Sequence, residues 1–65
     1  MEARTIEALV RAYLSLEQTA IDLYEEFELA VQNSNYNDAS LLESQADKVY
    51  ELSQNLEIII REQGG

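Results

Sequence analysis

The sequence lacks several residue types on which enzymes and small stable folds depend. It contains no cysteine, histidine, proline or tryptophan. The missing cysteine excludes disulfides and thiolate chemistry, and the missing histidine removes the commonest general base and metal ligand. No nucleophile–base pair and no glycine-rich phosphate loop is present. We therefore expect no enzymatic activity, no metal and no cofactor.

Positive charge is also scarce, because four Lys and Arg oppose 13 Asp and Glu and give a formal net charge of −9. This charge disfavours direct binding to nucleic acids or to anionic membranes. No apolar run approaches the ~18 residues that a membrane span requires. The first four residues lack the basic and apolar regions of a signal peptide, so we expect a cytoplasmic location.

The apolar residues that are present follow a seven-residue repeat from Ile6 to Val31. Such a repeat, free of Gly and Pro, is typical of an amphipathic helix that packs against a second helix. It predicts a first helix over about residues 2–32. The residues expected to face the partner helix, called the seam here, are Ile6, Leu9, Tyr13, Leu16, Ala20, Leu23, Phe27 and Ala30.

The repeat stops at a polar segment, residues 33–37, whose Asn and Ser side chains favour turns. We expect Asn33 to adopt the left-handed conformation that ends many helices. Asn35 or Asn37 is expected to cap the second helix, which we place after Asn37. A capping box over residues 40–43 is an alternative start.

The second helix repeats the heptad more weakly, over about residues 38–63, and we expect Gly64 and Gly65 to end it. Two heptad helices joined by a short polar loop form an antiparallel hairpin. The sequence therefore predicts a single all-α domain, an antiparallel two-helix hairpin. The predicted seam of the second helix is Leu42, Val49 and Leu56 in one heptad position and Gln45, Leu52 and Ile59 in the other.

A turn centred near Asn35 also predicts the register, since residues whose numbers sum to about 70 then face each other. Within the helices, acids precede bases by four residues at Glu7–Arg11 and Glu57–Arg61, a spacing that favours ion pairs. The expected cross-helix neighbours are Phe27 and Leu42, Ala20 and Val49 or Tyr50, Tyr13 and Leu56, and the ion pair Asp22 and Lys48.

More apolar residues are present than one helix–helix contact can cover. Apolar patches beyond a few hundred Å² mark interfaces, so we expect the remainder to bind protein. The partner is a second copy, giving a homodimer or a higher homo-oligomer that completes a helical bundle, or a different protein, or both. The residues assigned to this surface are Val10, Leu14, Ile21, Tyr24, Val31, Tyr36, Leu41, Tyr50, Ile58 and Ile60.

An acidic patch lies in the second half of the first helix and comprises Glu17, Asp22, Glu25, Glu26 and Glu28. Asp22 and Glu26 are one turn apart, but the Glu-x-x-His element of di-metal bundles is missing. The patch is interpreted as a solvated face, with docking of a basic partner as the alternative. Acid clusters also imitate the phosphate backbone of nucleic acids.

The polar turn at residues 33–38, Ala39 and the apolar residues Leu56, Ile58, Ile59 and Ile60 resemble the small helical-hairpin co-chaperones of type III secretion needle subunits. The resemblance covers about half of the chain. It implies a cytoplasmic complex in which two antiparallel helices and a helical-repeat partner keep a needle protein soluble.

Together these patterns predict a non-enzymatic protein-interaction module, a small chaperone or adaptor that binds a partner through apolar helix faces. The alternative is an acidic inhibitor of the phage type, which imitates nucleic acid and blocks a nucleic-acid-binding protein or a defence system. A structural homo-oligomer is the second alternative.

Overall fold

Two long helices account for almost all of the chain in a computed structural model, which describes residues 1–64. Helix α1 spans Ala3–Gln32 and helix α2 spans Tyr36–Gly64. They pack against each other along their length as an antiparallel hairpin, which confirms the predicted fold class. Helix α2 reaches Gly64, and Gly65, the other glycine expected to end it, lies outside the described residues.

Helix α1 ends in a Schellman turn, the paired hydrogen-bond arrangement that satisfies the last carbonyls of a helix. The N–H of Asn35 donates to the carbonyl of Ala30 at 2.8 Å, and the N–H of Ser34 donates to that of Val31 at 3.0 Å. Ser34 takes the left-handed conformation, with φ 58°. The assignment of that conformation to Asn33 was therefore wrong by one residue, since Asn33 has φ −90°.

Asn35 also begins helix α2, which shortens the connection between the helices to three residues. Its carbonyl accepts the first α2 bond, from the N–H of Ala39 at 2.9 Å. Its side-chain amide donates to a carboxylate oxygen of Asp38 at 2.7 Å. Asn35 was one of the two predicted caps, and the helix starts at Tyr36, about two residues before the predicted start.

Cross-helix contacts confirm the predicted register. The Tyr13 hydroxyl donates to Glu57 Oε2 at 3.4 Å, and the Tyr24 hydroxyl donates to Asp47 Oδ1. At the far end Gly64 lies against Ile6, whose Cδ1 is 3.4 Å from the position that a Cβ on Gly64 would take. The residue numbers in each pair sum to 70 or 71.

The expected ion pairs are formed only in part. Arg61 binds Glu57 at 2.6 Å, as predicted. Within residues 1–64 neither the Asp22–Lys48 pair nor the Glu7–Arg11 pair is formed, so these two predictions were wrong. Asp22 instead accepts a hydrogen bond at 3.0 Å from Nε2 of Gln18, one turn earlier on the same helix.

The seam of α1 is as predicted, and that of α2 is only half as predicted. Every predicted α1 seam residue is buried or half-buried, as are Leu42, Val49 and Leu56. The prediction for the second heptad position of α2 was wrong, because Leu52 and Ile59 are 54% and 42% exposed and Gln45 is also exposed. The residues that occupy this position in the structure are Ala39, Ala46, Ser53 and Ile60.

Small side chains at the α2 seam explain this shift. A heptad position filled by Ala and Ser brings the two helix axes close together, so the large residues of α1 pack across them. Leu52 and Ile59 are one position away in sequence, which rotates them about 100° around the helix. They consequently lie on the flank of the hairpin.

The hairpin is an elongated rod that leaves much of its surface accessible. Its dimensions are 48 × 14 × 12 Å, and its radius of gyration is 14.7 Å, against about 11 Å for a compact domain of this length. Its accessible surface is 4821 Å², where a compact monomer of this mass exposes about 4,200 Å². The rod therefore exposes roughly 600 Å² more than a compact fold would.

Over the described residues, neither helix contains a stretch apolar enough to cross a membrane.

Candidate protein-interaction surface

The apolar side chains of this hairpin point outward to an unusual degree. Among the described residues the buried ones are all small, namely Ala20, Ala30, Ala39, Ala46 and Ser53. Eleven large apolar side chains are instead 41–65% exposed, and the large residues of the seam are only half-buried. This exposed apolar set comprises Met1, Leu14, Ile21, Leu29, Val31, Tyr36, Leu41, Tyr50, Leu52, Ile58 and Ile59.

Seven of the ten residues predicted to bind a partner belong to this exposed set. The other three, Val10, Tyr24 and Ile60, are half-buried at the edges of the helix–helix contact. Their assignment to a free surface is corrected accordingly. Ile60 lies in the α2 seam, while Val10 and Tyr24 flank the seam of α1 and cover its side.

The sequence interpretation missed Leu29 as an exposed apolar residue, and it placed Leu52 and Ile59 in the core. Leu29 is 49% exposed. It lies level with Leu41 on α2, which is 62% exposed, because their numbers sum to 70. The register predicted from the turn was sufficient to find this pair, but Leu29 fitted neither of the stripes recognised on α1.

Charge is distributed unevenly along the rod. The half next to the turn, residues 17–53, is called the loop half; residues 1–16 together with 54–64 form the open half. The loop half carries nine acidic residues and one basic residue, Lys48, and so has a side-chain charge of −8. The open half carries four acidic and three basic residues, a side-chain charge of −1. The acidic field therefore originates almost entirely from the loop half.

The five residues of the acidic patch do not form a single chelating face. Asp22, Glu25 and Glu26 share the outward side of α1, since residues three and four apart lie on one helix face, whereas Glu17 is half-buried beside Tyr13. Within residues 1–64 no three Asp or Glu residues are close enough to hold a metal ion. The patch acts through its collective field, which attracts cationic groups on a partner.

Two tyrosines bridge the helices by donating to carboxylates. The hydrogen bond from Tyr24 to Asp47, together with partial burial, raises the pKa of Tyr24 from 10.0 to about 12. Partial burial, followed by the carboxylates of Glu17 and Glu57, raises the pKa of Tyr13. Both phenols remain protonated and hydrogen-bonded near neutral pH, so they are fixed parts of the hairpin flank.

A shallow depression of about 290 Å³ lies on the outer surface of α2, lined by Gln54, Glu57, Ile58 and Arg61. The Glu57–Arg61 ion pair forms part of its wall, at 2.6 Å. All of its lining residues come from one helix. It is thus a furrow between neighbouring side chains and forms part of the apolar surface around Ile58.

No protein-family model, curated protein or solved structure matches this chain.

Proposed function

We propose that this hairpin is a non-enzymatic protein-interaction module, a small chaperone or adaptor that binds a partner protein through its exposed apolar residues. The observation that supports the proposal is the inversion of ordinary burial. Among the described residues the fully buried ones are four alanines and a serine, while eleven large apolar side chains are 41–65% exposed. Covering these side chains with a partner provides the hydrophobic free energy that the hairpin alone does not gain.

The second half of α1 is the best-placed contact for such a partner. Ile21 is 50% exposed and Val31 is 41% exposed, and Tyr50 of α2, 45% exposed, lies level with Ala20. Acidic residues surround these side chains in the loop half. A partner helix with an apolar stripe and flanking Lys or Arg residues fits this combination, because apolar burial supplies affinity and the charges accelerate encounter.

A second candidate function is supported by the charge of −8 in the loop half. A rod with such a charge at one end competes for the basic groove of a nucleic-acid-binding protein, as an acidic inhibitor does. In that case the carboxylates provide the affinity, and the apolar residues contribute little.

Two sets of variants separate these candidates. A photo-reactive amino acid at position 21 first captures the partner in cells that express the chain, and the purified partner is then titrated. Under the chaperone or adaptor proposal, Ile21→Asp lowers the affinity at least tenfold, because it places a charge in an apolar contact. Ser44→Asp adds the same charge at an exposed polar position and should change the affinity less than twofold.

The complementary variant replaces Asp22, Glu25, Glu26 and Glu28 by their amides and changes the net charge from −9 to −5. We expect its affinity for the partner to fall only a few fold, and binding to persist at ~0.5 M salt. A collapse of affinity in this variant, together with retention in Ile21→Asp, would establish the acidic inhibitor instead. Retention in both folded variants would contradict both candidates and direct attention to Tyr36 at the start of α2.

A further inference from the structure

The two cross-helix tyrosine bonds identify one side of the hairpin, called the tyrosine flank here. On this side Tyr13 donates to Glu57, and Tyr24 donates to Asp47. Tyr50 of α2 also lies close to Tyr24. The tyrosine flank is therefore a surface to which both helices contribute.

Exposed apolar side chains of α1 continue along the tyrosine flank. Ile21 lies three residues before Tyr24, and Leu14 lies seven before Ile21. Val31 lies seven residues after Tyr24. Spacings of three and seven residues keep side chains on one helix face, so Leu14, Ile21 and Val31 form a line of about 25 Å. They are 55%, 50% and 41% exposed, and Tyr50 is level with Ile21. A line of this length matches about five turns of a partner helix.

Acidic residues alternate with these apolar side chains. Glu17 lies one turn before Ile21, and Glu28 lies seven residues after it. Glu43 of α2 is level with Glu28, because their numbers sum to 71, and it lies close to Tyr24. Within residues 1–64 none of these three glutamates forms an ion pair. Glu28 and Glu43 bring like charges to the same level of the two helices, which favours a cationic group beside them.

The apolar residues on the other side of the hairpin have mixed charges around them. Leu52 comes two residues after Tyr50 and is turned by about 160° from it around α2. Leu29 comes two residues before Val31 and is turned similarly around α1. Besides the acids at positions 22, 26 and 38, this side carries Lys48 one turn before Leu52. The tyrosine flank carries four carboxylates that form no ion pair within residues 1–64, at positions 17, 28, 43 and 47, and is the more consistently acidic apolar surface.

We infer that the bound segment of the partner is an amphipathic helix of about five turns, with Lys or Arg bordering its apolar stripe, which lies along the tyrosine flank in contact with both α1 and α2. Its apolar residues pack on Leu14, Ile21 and Tyr50, and its basic residues pair with Glu28 and Glu43. A second copy of this chain is disfavoured there, because its own net charge is −9. The inference rests on the proposed function and adds to it the side of the hairpin that binds and the length of the bound helix.

A synthetic peptide of about 21 residues, with Leu at the a and d positions of its heptads and Lys elsewhere, is the probe. Fluorescence anisotropy of the labelled peptide measures its affinity for the full chain. We expect it to bind at least tenfold more tightly than the same peptide with Glu in place of Lys. Leu14→Gln and Ile21→Gln leave the charge of the chain unchanged and should each weaken binding at least fivefold.

The other side of the hairpin offers closely matched controls for these two substitutions. Leu52 is 54% exposed, against 55% for Leu14, and Leu29 is 49% exposed, against 50% for Ile21. Leu52→Gln and Leu29→Gln should each change the affinity less than twofold. Circular dichroism verifies that every variant retains its helices.

A matched pair of double variants tests the charges. Glu28→Gln with Glu43→Gln, and Glu25→Gln with Glu51→Gln, both change the net charge from −9 to −7. The first pair should weaken binding of the lysine peptide at least fivefold at low salt, because it removes the carboxylates beside the apolar line. The second pair, at exposed positions elsewhere, should weaken it less than twofold.

Several results would overturn the inference. They are failure of the lysine peptide to bind, equal losses from substitutions on the two sides, or larger losses at Leu52 and Leu29. Sedimentation that shows the chain associating with itself through Leu14 and Ile21 would make a second copy the occupant and would also contradict it. The proposed function is tested separately, by the affinity of Ile21→Asp for the partner captured through position 21, so the two proposals can fail independently.

Discussion

The two ends of this hairpin are held together differently, although the same two helices run through both. In the loop half Ala39 and Ala46 are 4% and 0% exposed, and the helices meet through these small side chains. In the open half the same heptad position is occupied by Ile60, which is half-buried. The loop half contains the fully buried residues among those described and is strongly acidic, whereas the open half contains none of them and is nearly neutral.

This difference indicates that the two halves of the hairpin contribute unequally to its stability. The fully buried residues among those described all lie in the loop half, between Ala20 and Ser53. The same half carries seven of the eleven exposed large apolar side chains and a charge of −8. In the monomer, stability is therefore expected to come mainly from the loop half.

The largest expected effect compares Phe27→Ala in the loop half with Ile6→Ala in the open half. Phe27 fills the seam between the helices, and its removal should lower the free energy of unfolding by about 2–4 kcal/mol. Ile6→Ala should cost about 1 kcal/mol or less in dilute protein, because Ile6 lies at the end of the hairpin against Gly64, which has no side chain to pack on it.

Thermal unfolding followed by circular dichroism, at several protein concentrations, measures both effects. The cost of Phe27→Ala should exceed that of Ile6→Ala at every protein concentration. A larger loss for Ile6→Ala than for Phe27→Ala in dilute protein would reverse the assignment of the two halves.

The next effect tests the close approach of the helices in the loop half. Ala46 is 0% exposed, so Ala46→Leu forces extra volume between the helix axes and should destabilise the hairpin by about 1–3 kcal/mol. Ser44→Leu adds a leucine at an exposed position of the same helix and should change stability by less than about 0.5 kcal/mol. Urea unfolding measures the stability of both variants. Equal stabilities would show that the seam at Ala46 can accommodate a larger side chain.

The same close approach explains what the sequence could and could not predict. In α1 large residues repeat every seven positions, so hydrophobic periodicity identifies the seam from Ile6 to Phe27 correctly. In α2 the seam position holds Ala39, Ala46 and Ser53, whose small side chains contribute little to such a pattern. Leu52 and Ile59 give the stronger pattern one position away, and this misled the prediction.

The exposed surface was more predictable than the α2 seam. Ile21 and Leu41 were recognised because they fall outside the stripe that a single partner helix can cover, and Tyr36 because it was placed in the loop. The Asn and Ser residues located the turn, but the prediction extended it two residues too far, to Asn37. The left-handed position was missed at Ser34, since serine is much less favoured in that conformation than glycine or asparagine.

A smaller effect therefore concerns Ser34, whose φ of 58° is unfavourable for a residue with a Cβ. Ser34→Gly removes this strain and should stabilise the hairpin by about 0.5–1 kcal/mol, an effect centred on the loop half. Asn33→Gly is the matched control: Asn33 has φ −90°, so glycine there only loosens the unfolded chain and should be neutral or destabilising. Stabilisation by Asn33→Gly and not by Ser34→Gly would place the left-handed residue one position earlier.

The smallest effect compares two equivalent hydrogen bonds, one in each half. Tyr24 donates to Asp47 in the loop half, and this bond is the main cause that raises the pKa of Tyr24 to about 12. Tyr13 donates to Glu57 in the open half at 3.4 Å, and partial burial is the main cause of its raised pKa. Asp47→Asn should thus lower the pKa of Tyr24 markedly toward 10, whereas Glu57→Gln should lower that of Tyr13 only slightly, because burial and Glu17 remain.

Phenolate absorbance during alkaline titration, with Tyr24→Phe and Tyr13→Phe to assign each transition, measures these shifts. Since the pKa of Tyr24 is higher in the folded chain than its ordinary value of 10.0, the stabilisation from its protonated form is complete below pH 10 and is lost as the pH rises to about 12. Asp47→Asn should remove this loss of stability between pH 10 and 12. Circular dichroism during the same titration would detect the difference as helicity retained at high pH. Equal pKa shifts for the two tyrosines would mean that both halves hold their cross-helix bonds equally tightly, in conflict with the burial pattern that separates a packed loop half from a loosely covered open half.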